Sequence, residues 1–391
     1  MISFDEAYKI VMDSLFMTGT EAVWYEDSFG RILAEDVLSD MDMPPFDKST
    51  VDGFACRSSD LGHPLELIET IPAGCLPQKI IGENQCAAIM TGAMMPEGAD
   101  CVIMVEDTEE LSTGIISFTS TYVKTNIAYK GEDICEGDVV LKAFREVKPQ
   151  DIAVMAATGH TSALVGRKPR VAIISSGNEI VEPNIKPGLS QIRNSNSGQL
   201  AAQVKRAGAS ATCYGIAPDD EEETYILVRK SIEENDIVLI TGGVSMGKFD
   251  FVPSVLERAG VKLLFTRVAI QPGKPTTFGI HEKARIFGLP GNPVSSFVVF
   301  ELLVRPYISG MMGFEWKPPV RYLPLADRFI RRTADRMMWM PVKVTDDNRV
   351  LPVEYHGSAH ISAFPDADGI ISIPVGIKTL QEGQMVEVRI I

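Results

Sequence analysis

The residues best suited to chemistry fall in a few short segments. From Ile237 the chain runs through apolar residues and Thr241 into Gly242-Gly243-Val244-Ser245-Met246-Gly247-Lys248-Phe249-Asp250. An apolar strand ending in a glycine pair lets backbone N–H groups approach a phosphate or another oxyanion, and Ser245 and Gly247 continue that loop toward a helix. Gly242, Gly247 and Lys248 match the Gly-x4-Gly-Lys part of a P-loop, but Phe249 stands where Ser or Thr must hold magnesium, which excludes a P-loop NTPase. Alone, the glycine pair leaves a plain tight turn as the lesser alternative. In Phe287-Gly-Leu-Pro-Gly-Asn-Pro-Val-Ser-Ser296 a second strand meets a helix. There Gly291 and Asn292 permit close approach, Pro293 can begin the helix, and Ser295 falls in its first turn, near an anion; simple helix initiation explains the same residues. Pro272-Gly-Lys-Pro275 is a stiff turn that presents Lys274 with little freedom.

Carboxylates occupy further loop positions: Asp52, Asp133, Glu179 after Ser175-Ser-Gly-Asn178, Asp219 and Asp250. In so acidic a chain any one of them reads as surface charge. As a set on glycine-rich loops beside the anion loops, they suggest a magnesium-bridged phosphate site, because magnesium takes one or two carboxylates together with phosphate oxygens and water. Asn194-Ser-Asn-Ser197 reads as a helix cap.

These loops need strands behind them. Strands are expected over 171–174, 211–216, 237–240, 262–269 and 285–289, with helices over 198–207, 221–234, 251–259 and 294–308. Near-continuous apolar strands alternating with helices imply a mostly parallel sheet covered on both faces, where ligands sit at the carboxyl ends of the strands. This central three-layer α/β domain is expected at 168–312. Before it lies an N-terminal region, 1–167, in which helical segments 1–42 and 142–167 flank a β-rich lobe, 43–141. Ser3-Phe-Asp-Glu6 forms a capping box, and Phe4, Tyr8, Val11 and Leu15 keep helical spacing up to Gly19. A small all-β domain, 313–391, is expected to finish the chain.

With 391 residues, several domains are expected. A net charge of −15 excludes nucleic acid as the main partner, which would need a basic surface. The six cysteines show no Cys-x-x-Cys spacing and no basic-then-apolar leader opens the chain, so reduced thiols in the cytoplasm are expected. The best apolar run, Phe297 to Val304, is broken by Glu301, so no membrane insertion is expected. Residue chemistry thus leads to a phosphate-bearing ligand, with magnesium, at the top of an α/β sheet; it does not specify the ligand further.

Read in order, Pro44 to Ala55 (PPFDKSTVDGFA), Ile89 to Ala93 with Pro96 to Asp100, Gly131 to Ile134, Gly242 to Gly247, Pro272 to Pro275 and Leu289 to Ser295 resemble the MoeA family, which includes the E domain of gephyrin. The resemblance spans essentially the whole chain. It implies molybdenum cofactor biosynthesis: molybdate enters adenylated molybdopterin and AMP leaves with Mg2+. It also implies a homodimer whose clefts each lie between the α/β domain of one subunit and the β-rich lobe of the other. By position, Asp52, Thr91, Asp133, Glu179, Asp219 and Asp250 match the family's active-site residues, with Glu179, Asp219 and Asp250 toward the metal. Gly242, Gly243, Ser245, Gly247, Lys274, Gly291, Asn292, Ser295, Arg336 and Ser358 match positions around pterin phosphate or molybdate. Gln271 departs from the family, which often has a second basic residue there. Molybdopterin adenylyltransferase and apo-molybdoenzymes fit as partners. Two other readings share parts of the pattern: the adenylyltransferase itself, which lacks the flanking lobes, and a gephyrin-like scaffold without catalysis.

Overall fold

The computed structural model describes residues 1–120, 124–243, 252–354, 357 and 359–391. At its centre is a six-stranded sheet ordered Ser210–Ala217, Arg170–Ser176, Ile237–Thr241, Arg285–Leu289, Thr277–Ile280, Lys262–Phe265. The first four strands are parallel, Thr277–Ile280 runs antiparallel to both its neighbours, and Lys262–Phe265 therefore runs in the direction of the first four. Strand alternation divides the core in two. Val171 and Ile173, with Ile237 and Leu239, face a cluster built on helix Ser195–Arg206 and the long helix Pro293–Met311. Ala172 and Ile174, with Val238 and Ile240, face helices Glu221–Glu234 and Val252–Arg258. A strand buried on both sides has no polar face to alternate with, hence its unbroken apolar run.

The expected 262–269 strand departs from this pattern. It stops at Phe265 with a register shift, and Thr277–Ile280, unforeseen in the sequence, returns beside it to make an antiparallel edge. Between them Ile270–Gln271 leaves the central sheet and pairs in parallel with Met337 and Met338 of the C-terminal sheet. Pro272 and Pro275 bracket the turn and bring no N–H of their own that would need a partner where the chain reverses.

The long helix Pro293–Met311 also differs from a plain α-helix, because Phe300–Val304 is π-helical. Pro306 lacks an amide and its ring would crowd the carbonyl four residues earlier, and a widened turn relieves both. Over 19 residues this helix is long and apolar enough to cross a membrane, contrary to the expectation from the Phe297 to Val304 run, but 89% of it is buried inside the protein. Its one acid, Glu301, is buried and saturated: Arg206 donates at 2.5 Å, Arg305 at 2.8 Å and Gln203 Nε2 at 2.7 Å.

The N-terminal helix is Phe4–Asp13, with Ser3 Oγ accepting from Glu6 N–H at 3.1 Å. It ends before Leu15 because the Ser14 hydroxyl turns back to the Val11 carbonyl at 2.7 Å. Pro149–Ala157 forms the second helix as expected, while Thr20–Trp24 and Ser162–Gly166 form an antiparallel pair that the sequence did not announce. The lobe holds a six-stranded mixed sheet ordered Cys101–Met104, Gly53–Cys56, Gln85–Ile89, Leu65–Ile71, Ile115–Phe118, Thr108–Ser112. All six cysteines are free. Cys101, Cys56 and Cys86 stand in one cross-strand row; burial pushes the Cys86 thiol up to about 12. The C-terminal sheet runs Ile270–Gln271, Met337–Val344, Gly369–Ile373, Met385–Ile390, Val320–Pro324.

At the amino ends of the central strands Asp236 ties the sheet together. Its carboxylate accepts from Arg170 N at 2.8 Å and from the Arg170 guanidinium at 3.1 Å, with Arg167 at 3.6 Å. Burial would raise the Asp236 carboxyl, but the hydrogen bonds and charge of Arg170, with Arg167, hold it below the usual carboxylate range.

Two predictions follow from these polar contacts. Glu301→Ala leaves buried Gln203 and half-buried Arg305 without their acceptor, while Arg206 can turn to solvent, and should cost about 2–4 kcal/mol in urea unfolding, whereas Lys130→Ala, which removes an exposed partner of Asp42, should cost less than about 1 kcal/mol; equal costs would refute the assigned role of Glu301. Because the folded value of Asp236 lies below the unfolded one, its stabilisation is complete above about pH 4 and lost as pH falls through the folded value. Asp236→Asn should therefore cost about 1.5–3 kcal/mol at pH 7 and far less at pH 3, read from urea midpoints at both pH values.

Candidate active site

The loops that follow three neighbouring parallel strands converge at one edge of the central sheet. They enclose a cleft of about 340 Å3 lined by Ser176, Glu179, Ile180, Ile192, Gly242, Gly243, Pro275, Pro290, Gly291 and Asn292. Gly242 and Gly243 both have left-handed backbone, with φ of 89° and 63°. A Cβ on Gly242 would meet the Ser176 carbonyl oxygen at 2.4 Å, so the glycine is required both for its conformation and for the close approach of the two loops. Gly291 sits opposite, where a Cβ would come within 3.6 Å of the Gly242 Cα. Asn196 Nδ2 donates to the Gly291 carbonyl at 2.7 Å and holds that loop. Asn194 caps helix Ser195–Arg206 through Ser197 N–H, as its sequence suggested.

A second cavity of about 270 Å3 shares the walls Ile180, Ile192, Gly291 and Asn292 and extends to Arg193, Ala359 and Ile361. Exposed polar loops on one side and isoleucines on the other make a composite site able to take a phosphate group and a flat organic ring.

The acidic residues fall into two groups. Glu179 and Asp219 lie three and two residues beyond Ser176 and Ala217, the last register pair of two adjacent parallel strands. Asp219 is tied to the neighbouring loop by two bonds: Asn178 N–H donates to its Oδ2 at 3.2 Å, and its own N–H donates to Asn178 Oδ1 at 3.1 Å. Both carboxylates are exposed. Two carboxylates beside a phosphate-sized cleft fit a hard divalent cation, which takes its other ligands from phosphate oxygens and water. Among the described residues no group of three or more His, Cys, Asp or Glu side chains could hold a metal. Asp250, Ser245, Gly247 and Ser358 lie outside the described residues.

The other group is in the β-rich lobe. Asp52 directly precedes strand Gly53–Cys56, and Thr91 follows strand Gln85–Ile89, whose Ile89 is in register with Gly53. Asp52 Oδ1 accepts from Thr91 N–H at 2.7 Å and from its hydroxyl at 3.1 Å. Asp133 is exposed, with its N–H donating to the Met43 carbonyl at 3.0 Å. Among the described residues no hydrogen bond or ion pair links Asp52, Thr91 or Asp133 to Glu179 or Asp219.

Lys274 is exposed and Pro275, next to it, lines the cleft. Arg336 is carried to the same turn by the pairing of Ile270 with Met337; its Nη1 donates to the Ile270 carbonyl at 3.3 Å. Ser295 occupies the first turn of helix Pro293–Val299 as expected, but it is buried and lines neither cavity. Sequence reasoning passed over Ile180, Ile192 and Asn178. For Asn178 the signal was its place immediately before Glu179 on a glycine loop; for the isoleucines no local signal exists, since a two-residue parallel ribbon, Ile180–Val181 with Ile192–Arg193, makes them walls.

Comparison with known proteins bears on the whole chain. Residues 2–159 match the MoeA N-terminal region (domain I and II), 172–310 a probable molybdopterin binding domain, and 322–391 the MoeA C-terminal region (domain IV). A Staphylococcus epidermidis protein named molybdopterin molybdenumtransferase is 35% identical, covering 99% of this chain and 95% of that protein. A Bacillus subtilis protein of the same name is 35% identical, covering 100% and 94%. The crystal structure of a molybdopterin biosynthesis MoeA protein from Pyrococcus horikoshii superposes with a TM-score of 0.86 at 34% identity, covering 100% of this chain and 99% of that one. With this likeness running from end to end, and with the glycine-lined cleft inside the segment that matches the molybdopterin binding domain, the chain belongs to the MoeA family.

Proposed function

We propose that this protein is a molybdopterin molybdenumtransferase that inserts molybdate into adenylated molybdopterin and releases AMP. The observation that carries the reading is the glycine-walled cleft, with Glu179 on its rim and Asp219 latched alongside, in a chain that matches molybdenumtransferases along its whole length.

In the reaction, water cleaves the phosphoanhydride between AMP and the pterin phosphate: the P–O bond breaks and water oxygen joins phosphorus. The two dithiolene sulfurs then bond to the metal of molybdate as one Mo–O bond breaks, the displaced oxide leaving as water with the two thiol protons. The backbone around Gly242, Gly243 and Gly291 admits the phosphates and excludes side chains from their path. Lys274 and Arg336, gathered at one turn, supply positive charge to oxyanions, and Gln271 offers hydrogen bonds without charge. Glu179 and Asp219, with Asp250, would hold Mg2+, which when bound neutralises charge on the phosphoanhydride. The Thr91 hydroxyl, donating to Asp52, orients a lone pair that can accept from water or substrate, and Asp52 and Asp133 are suited to taking a proton from water. Because these two groups are separate within one chain, the reading includes a homodimer in which the lobe of one subunit completes the cleft of the other. Molybdopterin adenylyltransferase would then supply the substrate and apo-molybdoenzymes receive the product.

Titration of the purified protein with adenylated molybdopterin, molybdate and Mg2+ should give molybdate-dependent AMP release and activate an apo-molybdoenzyme; formation of adenylated pterin from ATP instead, or tight binding with no release, would refute the reading. Gly291→Ala, whose new methyl meets only ordinary contacts, should leave stability within about 1 kcal/mol of the native protein yet raise KM for the pterin about tenfold by narrowing the cleft. Steady-state kinetics beside a melting curve separate the two effects.

A further inference from the structure

The loop after strand Arg170–Ser176 is bound to its neighbour by more than chain connectivity. Asn178 and Asp219, 41 residues apart in sequence, exchange a reciprocal pair of hydrogen bonds, N–H to Oδ2 at 3.2 Å and N–H to Oδ1 at 3.1 Å. The pair engages Asp219 through Oδ2; among the described residues its Oδ1 accepts no hydrogen bond. Glu179 is the next residue, and its carboxylate likewise has no hydrogen-bond or ion-pair partner among the described residues. The Glu179 side chain folds back over Gly177, which has φ of 137° and where a Cβ would meet Glu179 Oε2 at 2.2 Å. Two loops are therefore latched together, and the two carboxylates that emerge from them keep oxygens unengaged among the described residues. Both Asn178 and Asp219 are exposed, so the latch contributes nothing to core packing.

We propose that Asn178 is a positioning residue: it fixes the orientation of Asp219 and its spacing from Glu179, so that the two carboxylates bind one divalent cation together. This rests on the function proposed above, in which those carboxylates serve the phosphate-bearing substrate. The amide is suited to the task because it accepts from the Asp219 N–H without adding a charge beside a cation site. Outer residues that orient metal-binding carboxylates act through geometry, and their loss costs metal affinity and rate together.

The test uses the full chain and Mn2+ as the spectroscopic probe, with binding followed by electron paramagnetic resonance and AMP release followed in parallel. Asn178→Ala removes the side-chain acceptor and leaves the backbone donor. It should weaken Mn2+ binding about tenfold and lower kcat about 10–100-fold, with KM for the pterin within about twofold and an unchanged melting temperature. Asn178→Asp restores an acceptor oxygen beside the start of helix Glu221–Glu234, where negative charge is tolerated, and should return Mn2+ affinity to within about threefold of native. If Asn178→Ala lost its fold, Asn178→Gln, which keeps the amide and moves the acceptor out of register, would take its place. Native Mn2+ affinity in the variant lacking the acceptor, or no Mn2+ binding by the native protein, would overturn the inference. Absence of molybdate-dependent AMP release from the native protein, with the Mn2+ series behaving as expected, would overturn the proposed reaction and leave the positioning role standing.

Discussion

The approach of Gly242 to the carbonyl of Ser176 is the contact on which the site depends. It is possible only because strands Arg170–Ser176 and Ile237–Thr241 run parallel and in register, ending side by side, and because residue 242 carries no Cβ. Where two parallel strands end together, the following loops must either diverge or press backbone against backbone, and a glycine permits the second course. The result is a cleft whose floor is main chain, the kind of surface that offers N–H groups to an oxyanion without a mobile side chain in between.

Stability and function occupy opposite ends of the same strands. At the amino ends, Asp236 draws together Arg170 and Arg167 and pins three strands through side-chain and backbone bonds. At the carboxyl ends the carboxylates of Glu179 and Asp219 are exposed and have oxygens without partners among the described residues. An acid surrounded by its donors is spent on the fold, whereas an acid on a glycine loop remains available to a cation. Glu301 follows the first pattern, which explains how a charge survives inside the most apolar helix of the chain.

The pairing of Ile270–Gln271 with Met337–Met338 is the covalently unadvertised link between the central and C-terminal sheets. It takes the chain out of the central sheet just before Pro272 and brings Arg336 to the turn that carries Lys274. Two basic residues from distant parts of the sequence thereby belong to one turn, whose Pro275 lines the cleft.

The alternation of strand and helix that builds the four parallel strands, the burial of their sheet on both faces and the positions of the glycine loops were legible in the sequence, because each follows from short-range physics: apolar runs of strand length, helix caps such as Asn194, and glycines where the backbone must turn or make room. The family resemblance was legible for the same reason, being carried by ordered loops. Three things waited for the tertiary structure. The antiparallel strand Thr277–Ile280, inserted between Arg285–Leu289 and the edge strand Lys262–Phe265, depends on partners supplied by remote segments and has little signature of its own. The isoleucine walls from Ile180 and Ile192 exist because a two-residue ribbon stands them beside the cleft. The Asn178 to Asp219 latch joins residues that no local pattern connects. Local sequence sets what each segment prefers to be, while the spacing between functional groups is fixed by which segments the sheet register makes neighbours.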